Sequence, residues 1–312
     1  MSDFSVILPT HDRPESIHRA VESVLSQRLR PLELIVVNDG AGELPSELAW
    51  SASAAGVEFR TIRSDRPSLP RSRNLGIDRA RGDVVVFTED DLILPSDYLA
   101  RLAALYAMDS ERLVGGIGSV VVEPGPCRPT RRVWEAIAPL LGRGCWGPRR
   151  LAGRYARLPA ELRRRLVPAG RLPAGGLSLR REHAAAIRFE ERFDGYALGE
   201  DAEFTQRFTQ RRPLFLALEV VVRHETAPSG RPDMGDRGRM FARNMLHVVR
   251  SSTEGGAGTW LLWGYEMAGM ALLYASWSLM SMRGGNARFA GGLLNELART
   301  GAAGLRRTVC GS

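Results

Sequence analysis

Continuous apolar runs alternate with amphipathic stretches through the first 122 residues of the chain. Four runs predict strands, at Phe4 to Leu8, Leu34 to Val37, Val57 to Ile62 and Val84 to Phe87. After the first run, Pro14 opens a predicted helix whose apolar residues recur at i, i+3, i+4, i+7 and i+8 from Ile17 to Leu25, and a shorter helix is predicted over 70–81. Strands that are apolar throughout are covered on both faces. The pattern therefore predicts an α/β fold with a doubly wound, mostly parallel sheet, whose ligands lie beyond the carboxyl ends of the strands.

The rest of the chain has a different pattern. Residues 124–172 are rich in proline and contain twelve arginines but only two acids, which is typical of an inserted basic segment. Regular structure returns after Pro173, and a strand is predicted from Leu214 to Val222. We predict four parts: an α/β half at 1–122, the insertion at 123–172, a second half of the same domain at 173–250, and a helical C-terminal region at 251–312.

The stretch from Thr259 to Met282 is mostly apolar and carries one formal charge, Glu266. As a helix it would be about 36 Å long, enough for a bilayer core of about 30 Å. A carboxylate near the middle of a span costs about 2.5 to 3.5 kcal/mol, so we favour a helix lying in the membrane interface, where the flanking arginines suit anionic head groups. The alternative is a core or dimer-interface helix of a soluble protein.

Composition narrows the classes of partner. The net charge of +8 comes from arginine, since the chain has no lysine, and it favours an anionic partner. The basic segment lacks a nucleic-acid reading motif, so we expect no nucleic acid. Three cysteines without C-x-x-C spacing suggest neither a zinc site nor a disulfide framework. The chain enters a strand at Phe4 without a basic, apolar leader, so we predict no signal peptide and a cytoplasmic protein, peripheral on the inner face of the cytoplasmic membrane.

Three adjacent acids, Glu89, Asp90 and Asp91, follow the strand that ends at Phe87. Neighbouring carboxylates repel one another, and a divalent cation would offset that repulsion. Carboxylates at the carboxyl end of a strand can bind Mg²⁺ or Mn²⁺ while phosphate oxygens take the remaining positions on the metal. The alternative is a solvated acidic turn.

Five motifs occur in a fixed order over about residues 4 to 250, each at a predicted strand end or helix start: Val6-Ile7-Leu8-Pro9-Thr10, Val36-Val37-Asn38-Asp39-Gly40, Ser72-Arg73-Asn74-Leu75-Gly76, Thr88-Glu89-Asp90-Asp91 and Gly199-Glu200-Asp201. Together they resemble those of family 2 glycosyltransferases of the GT-A fold. The resemblance implies an inverting, metal-dependent transfer of a sugar from a nucleotide-diphosphate sugar to a hydroxyl acceptor, with Mn²⁺ or Mg²⁺ as the cofactor.

The resemblance also implies roles for individual residues. Asp201 matches the general base, with Glu200 as the alternate base or an acceptor-binding residue. The resemblance assigns nucleotide-sugar binding to residues 1–122 and acceptor binding and catalysis to residues 173–250. Asp91 matches the metal-binding acid, and Glu89, which replaces the usual aspartate, is expected to contact the metal or the ribose. His224 matches a histidine that adds a metal or diphosphate contact. Asp39 is expected at the base or ribose, Arg73 near the diphosphate, and Asn74 as an orienting residue. The nucleotide-sugar set is Pro9, Thr10, Arg13, Asp39, Arg73, Asn74, Glu89 and Asp90.

Two other functions are weighed against this one. A nucleotidyltransferase would have a glycine-rich phosphate loop after the first strand, but that loop, from Pro9 to Pro14, has no glycine. A non-catalytic nucleotide-sugar-binding module is the other alternative, for which Glu89 is the sequence hint. The amphipathic C-terminus and the basic insertion favour a lipid-linked or cell-envelope glycan as the acceptor.

Overall fold

The computed structural model describes residues 3–123, 155–193, 196–225, 233–250, 257–281 and 284–309. Contacts divide the chain into two units. The first comprises Met1–Pro124 and Gly147–Gly230, and the second comprises Gly125–Trp146 and Arg231–Ser312. Most of the predicted basic insertion, residues 124–154, lies outside the described residues.

The first unit alternates strands and helices. Its strands are β1 Phe4–Thr10, β2 Glu33–Asn38, β3 Glu58–Arg63, β4 Val84–Phe87, β5 Leu92–Ile93, β6 Gly116–Val122, β7 Leu166–Ala169, β8 Leu177–Arg180 and β9 Leu214–His224. Its helices are α1 Pro14–Leu25, α2 Glu47–Ala54, α3 Leu69–Arg79, α4 Tyr98–Ala107, α5 Ala160–Arg165, α6 Arg181–Ile187 and α7 Glu200–Arg211. The four early strands, both early helices and the strand beginning at Leu214 confirm the elements predicted from the hydrophobic pattern.

In the described part of the chain these strands form one nine-stranded sheet, ordered β3-β2-β1-β4-β8-β6-β9-β5, with β7 paired to β9. The pairs among β1, β2, β3 and β4 are parallel. Beyond β4 the sheet is mixed and not mostly parallel as predicted. β6 and β9 pair in parallel, but β8 runs antiparallel to both of its neighbours and β5 and β7 run antiparallel to β9. An apolar run indicates burial on both faces, but it does not indicate the direction of the strand.

Two hydrophobic clusters cover the opposite faces of the sheet. Alternate residues of β1 and β4 divide between them: Val6, Leu8, Val84 and Val86 belong to one cluster, and Ile7, Val85 and Phe87 belong to the other. Successive side chains of a strand point to opposite faces, so a strand buried on both faces must be apolar at every position. This burial holds the carboxyl ends of β1, β2 and β4 side by side at one edge.

The described part of the second unit is helical, with α8 Met234–Arg250, α9 Ala257–Ser281 and α10 Gly284–Val309. Helices α8 and α10 approach closely at two glycines, because a β-carbon on Gly238 would overlap the carbonyl oxygen of Phe289 and one on Gly292 would overlap that of Gly235. Helix α9 confirms the helix predicted from Thr259 to Met282. Within the described residues, no helix is both long and apolar enough to cross a bilayer.

Candidate active site

The candidate site lies at the carboxyl ends of the parallel strands. Thr10 at the end of β1 is in register with Asn38 at the end of β2, and β4 leads directly into the turn that carries Glu89, Asp90 and Asp91. β5 follows this turn, and its Leu92 pairs with His224, the last residue of β9. The sheet therefore brings together side chains that are more than a hundred positions apart in the sequence.

Asp91 and His224 form the pair of groups best suited to a cation. Asp91 Oδ2 lies 3.3 Å from His224 Nε2, and the backbone of Asp91 accepts a hydrogen bond from Glu225 N. Oxygen and imidazole nitrogen are both ligands of divalent cations such as Mn²⁺, and two donors about 3 Å apart fit adjacent positions around one ion. In the described ranges no group of three or more His, Cys, Asp or Glu side chains has the arrangement of a metal site. These two protein donors would leave the other positions to substrate or water.

Glu89, in the turn after β4, is paired with Arg73. Arg73 is 1% exposed, and its Nη2 donates to Glu89 Oε1 at 2.8 Å while its Nη1 donates to Glu200 Oε1. The guanidinium also lies over the ring of Phe189, 5.1 Å from its centroid. Both terminal nitrogens of Arg73 thus bond to protein carboxylates. The predicted contact between Arg73 and a diphosphate stays a prediction.

Glu200 and Asp201 open α7, directly after Gly199, whose φ of 94° places it in the left-handed region. Burial raises the pKa of Glu200 to about 8, helped by Asp201 and Glu89 and opposed by Arg73. Burial also raises the pKa of Asp201, although the N–H of Ala202, which donates to Asp201 Oδ1 at 2.7 Å, lowers it. An elevated carboxylate pKa suits a group that must take up a proton near neutral pH.

Asp90 joins the acidic turn to the loop after β1. Thr10 Oγ1 donates to Asp90 Oδ2 and Arg13 Nη1 donates to Asp90 Oδ1, both at 2.8 Å. The same Arg13 nitrogen lies 3.9 Å from Asp91 Oδ2. Pro9 is buried within β1. The structure thus brings Thr10, Arg13 and Asp90 together beside Asp91.

Asp39 lies at the end of β2 and faces the start of α3. Its Oδ2 accepts hydrogen bonds from Ser68 N at 3.0 Å and Ser72 Oγ at 3.2 Å, and its Oδ1 lies 2.9 Å from His11 Nδ1. His11 is half exposed, so this pair borders solvent. The backbone N–H of Asp39 donates to Thr10 O at 3.1 Å, so Asp39 lies beside the end of β1.

Asn74 holds the backbone of a neighbouring loop. Its Nδ2 donates to Phe189 O and its Oδ1 accepts from Phe189 N, both at 2.9 Å, and its Nδ2 also donates to Glu191. These bonds fix Phe189, the residue on which Arg73 stacks. In this structure Asn74 orients backbone, whereas its contact with a nucleotide sugar stays a prediction.

Asp12 and Arg63 also lie in this region, although the sequence analysis did not predict them as site residues. Asp12, which has a φ of 49°, accepts a hydrogen bond from Gly42 N at 2.8 Å, and the N–H groups of Gly42 and Ala41 lower its pKa. From the other side, Arg63 donates to the carbonyls of Gly42 and Ala41. No sequence signal marks these residues, because their partners are backbone groups of another loop.

Comparison with known proteins identifies the family of this site. The chain matches the family described as Glycosyl transferase family 2 over residues 5–165. It is 30% identical over 111 residues to the uncharacterized glycosyltransferase EpsJ of Bacillus subtilis (strain 168), covering 36% of this chain and 32% of the relative. It is 29% identical over 97 residues to the poly(ribitol-phosphate) beta-N-acetylglucosaminyltransferase TarP of Staphylococcus aureus (strain N315), covering 30% of each chain. The matched part thus spans about a third of these relatives.

A solved structure supports the fold. The mannosyltransferase PcManGT from Pyrobaculum calidifontis, in complex with GDP-Man and Mn²⁺, superposes with a TM-score of 0.58 at 13% identity, covering 95% of this chain and 89% of that one. At this identity the similarity shows a shared GT-A fold. Because the family match covers more than half of the 312 residues and includes the acidic turn, the chain belongs to glycosyltransferase family 2.

Proposed function

We propose that this glycosyltransferase moves a sugar from a nucleotide-diphosphate sugar to a hydroxyl group of a glycan, with inversion at the anomeric carbon. One observation carries the proposal: Arg73 connects the acidic turn at Glu89 to the acid pair that opens α7 at Glu200. A donor-binding end and a base-bearing end are thereby held in one site. Transfer between two bound substrates requires such an arrangement.

The donor end comprises the loops after β1, β2 and β4. Asp39 would face the nucleoside, together with the loop from Gly40 to Gly42 that Asp12 and Arg63 hold by hydrogen bonds. Asp91 and His224 would bind the cation, which in turn would contact the diphosphate. The Mn²⁺ and GDP-Man of the mannosyltransferase from Pyrobaculum calidifontis support this assignment by analogy of fold. When bound, a divalent cation would stabilise the negative charge that develops on the leaving diphosphate.

The chemical step is a single displacement. Asp201 accepts the proton of the acceptor hydroxyl as that oxygen forms a bond with the anomeric carbon. The bond from the anomeric carbon to the diphosphate oxygen breaks, and its electron pair leaves with the nucleoside diphosphate. Because attack and departure occur on opposite faces of the sugar, one displacement inverts the anomeric carbon.

Contacts and exposure favour Asp201 over Glu200 as the base. A carboxyl oxygen of Glu200 already accepts a hydrogen bond from Nη1 of the buried Arg73. Glu200 is 5% exposed, whereas Asp201 is only partly buried and could be reached by an acceptor. The N-terminus of α7 also stabilises the ionised form of Asp201.

The acceptor is proposed to be a lipid-linked or cell-envelope glycan, used at the inner face of the cytoplasmic membrane. The similar poly(ribitol-phosphate) beta-N-acetylglucosaminyltransferase from Staphylococcus aureus supports an anionic glycan. Helix α9 exposes apolar side chains, with Leu272 64% and Leu279 83% exposed. These side chains would face an apolar surface such as the lipid interface.

A panel of nucleotide sugars, screened by thermal shift with and without Mn²⁺, identifies the donor. The donor found is then incubated with glycan acceptors, and the released nucleotide is measured. A glycosyltransferase releases a nucleoside diphosphate and a new glycoside of inverted configuration, detectable by NMR. Release of pyrophosphate would instead indicate a nucleotidyltransferase, and donor binding without turnover would indicate a binding module.

A further inference from the structure

Arg73 has an unusual environment for a residue expected at a diphosphate. It is among the largest fully buried side chains of the described residues, at 1% exposure. Its guanidinium group donates hydrogen bonds to two carboxylates from different parts of the fold, Glu89 after β4 and Glu200 at the start of α7. A planar guanidinium can satisfy two such partners at once, which an ammonium group cannot do with the same geometry.

An aromatic stack holds the guanidinium in place. Arg73 lies over Phe189, Phe189 stacks on Phe204 of α7 with centroids 3.8 Å apart, and Phe87 of β4 meets Phe189 edge-on at 5.3 Å. The stack contains residues from the same two elements, β4 and α7, that Arg73 joins through its hydrogen bonds. The orientation of Arg73 is therefore set by packing and not only by its ion pairs.

We propose that Arg73 is a positioning residue that fixes the acid pair Glu200 and Asp201 relative to the donor-binding turn. The proposal rests on the proposed function, but it assigns Arg73 a role that does not require contact with substrate. Without Arg73, the buried oxygens of Glu89 and Glu200 that accept its two hydrogen bonds would lose their donor, so both acids would shift. A shift of about 1 Å at a base is enough to reduce turnover about a hundredfold.

The chain contains a matched control in Arg180. This arginine is also buried, its Nη2 donates to Asp109 Oδ2 at 2.7 Å, its Nε donates to the carbonyl of Val114, and it lies over the ring of Tyr106 at 5.2 Å. Like Arg73 it is buried, ion-paired and stacked on a ring, but it bonds to one carboxylate where Arg73 bonds to two. None of its three partners belongs to the proposed site, so it reports the stability effect alone.

The test compares Arg73→Lys and Arg73→Met with Arg180→Lys and Arg180→Met. We expect Arg73→Lys to lower kcat about a hundredfold, while the KM for the donor and the affinity for Mn²⁺ with UDP or GDP, measured by calorimetry, stay within about twofold. The Arg180 variants should lower the unfolding midpoint by a similar amount and leave kcat near the parent value. A fall in nucleotide affinity that matches the fall in kcat would indicate a direct diphosphate contact and overturn the proposal, as would equal losses of kcat at Arg180.

A second measurement, independent of activity, tests the bridge that Arg73 forms between Glu89 and Glu200. In urea unfolding at a pH above the Glu200 pKa of about 8, where this acid is ionised, Glu89→Gln and Glu200→Gln should shift the midpoint non-additively in the parent chain, because they share Arg73. The shifts should be additive when Arg73→Met is present. Additive shifts in both backgrounds would overturn the bridge even if transfer were observed. Non-additive shifts in a chain that transfers no sugar would instead leave the bridge standing and refute the proposed function.

Discussion

Asp91 Oδ2 and His224 Nε2 lie 3.3 Å apart because β5, which begins directly after Asp91, pairs antiparallel with β9, with Leu92 opposite His224. This pairing places a carboxylate and an imidazole side by side at the end of the sheet. The two residues are 133 positions apart in the sequence. Strand pairing thereby brings together two groups that suit a cation.

Replacing Asp91 with asparagine should weaken Mn²⁺ binding by at least about tenfold, because the charged donor is lost while its shape is kept. Titration calorimetry with Mn²⁺ in the presence of the nucleoside diphosphate measures the change. His224→Gln should weaken Mn²⁺ binding as well. His183→Gln is its control, since His183 lies on α6 beside Glu182. Unchanged Mn²⁺ affinity in both Asp91→Asn and His224→Gln would contradict the proposed cation pair.

Asp201→Asn should reduce transfer by about a thousandfold while donor affinity stays near the parent value, since an amide cannot accept the hydroxyl proton. Initial rates of nucleotide release and calorimetric donor binding report the two quantities separately. Glu203→Gln is a matched control on the same helix, where Glu203 pairs with Arg207 instead of facing the proposed acceptor. Transfer by Asp201→Asn at the parent rate would exclude Asp201 as the base.

Glu200 should make stability depend on pH in a predictable direction. Its folded-state pKa of about 8 exceeds its ordinary value of 4.5, so the folded chain binds the proton more tightly than the unfolded chain does. The free energy of unfolding should therefore fall as pH rises from about 4.5 to 8, by about 5 kcal/mol at most from this group. Glu200→Gln, which resembles the protonated acid, should flatten that decline in urea titrations. An equally steep decline in the variant would show that other groups cause it.

Asp12 should matter for nucleotide binding although it lies outside the set drawn from the sequence. Asp12→Ala removes the acceptor that holds Gly42 N, and it places alanine at a φ of 49°, which asparagine and aspartate tolerate better. We expect nucleoside diphosphate affinity to decrease in the order parent, Asp12→Asn, Asp12→Ala, as measured by calorimetry. Equal affinities in all three proteins would show that this loop does not contribute to binding.

The exposed face of α9 should mediate attachment to lipid. Leu272→Glu together with Leu279→Glu places charges on this face and should reduce co-sedimentation with vesicles of phosphatidylglycerol and phosphatidylethanolamine. Leu218→Glu is the control, because Leu218 is likewise an exposed leucine, at 60%, but lies on β9. Equal sedimentation of parent and double variant, or a parent that binds no vesicles and elutes as a dimer, would contradict attachment through α9.

The hydrophobic pattern was sufficient to locate the local elements of the first unit. Pro14 begins α1 and Val84–Phe87 forms β4, because helix starts and buried strands depend on neighbouring residues and on burial. The order of five short motifs was sufficient to identify the family, and the family match confirms it. The sequence alone also placed the acids at strand ends and helix starts.

Only the tertiary structure decided which of these groups meet. The direction of β8 could not be read from its apolar residues, because parallel and antiparallel strands buried on both faces have the same composition. Likewise, no local pattern predicts that Arg73 bonds to Glu200 or that Asp12 holds Gly42. Such contacts depend on strand order and register, which bring distant segments together, whereas periodicity reports only each segment's own surroundings.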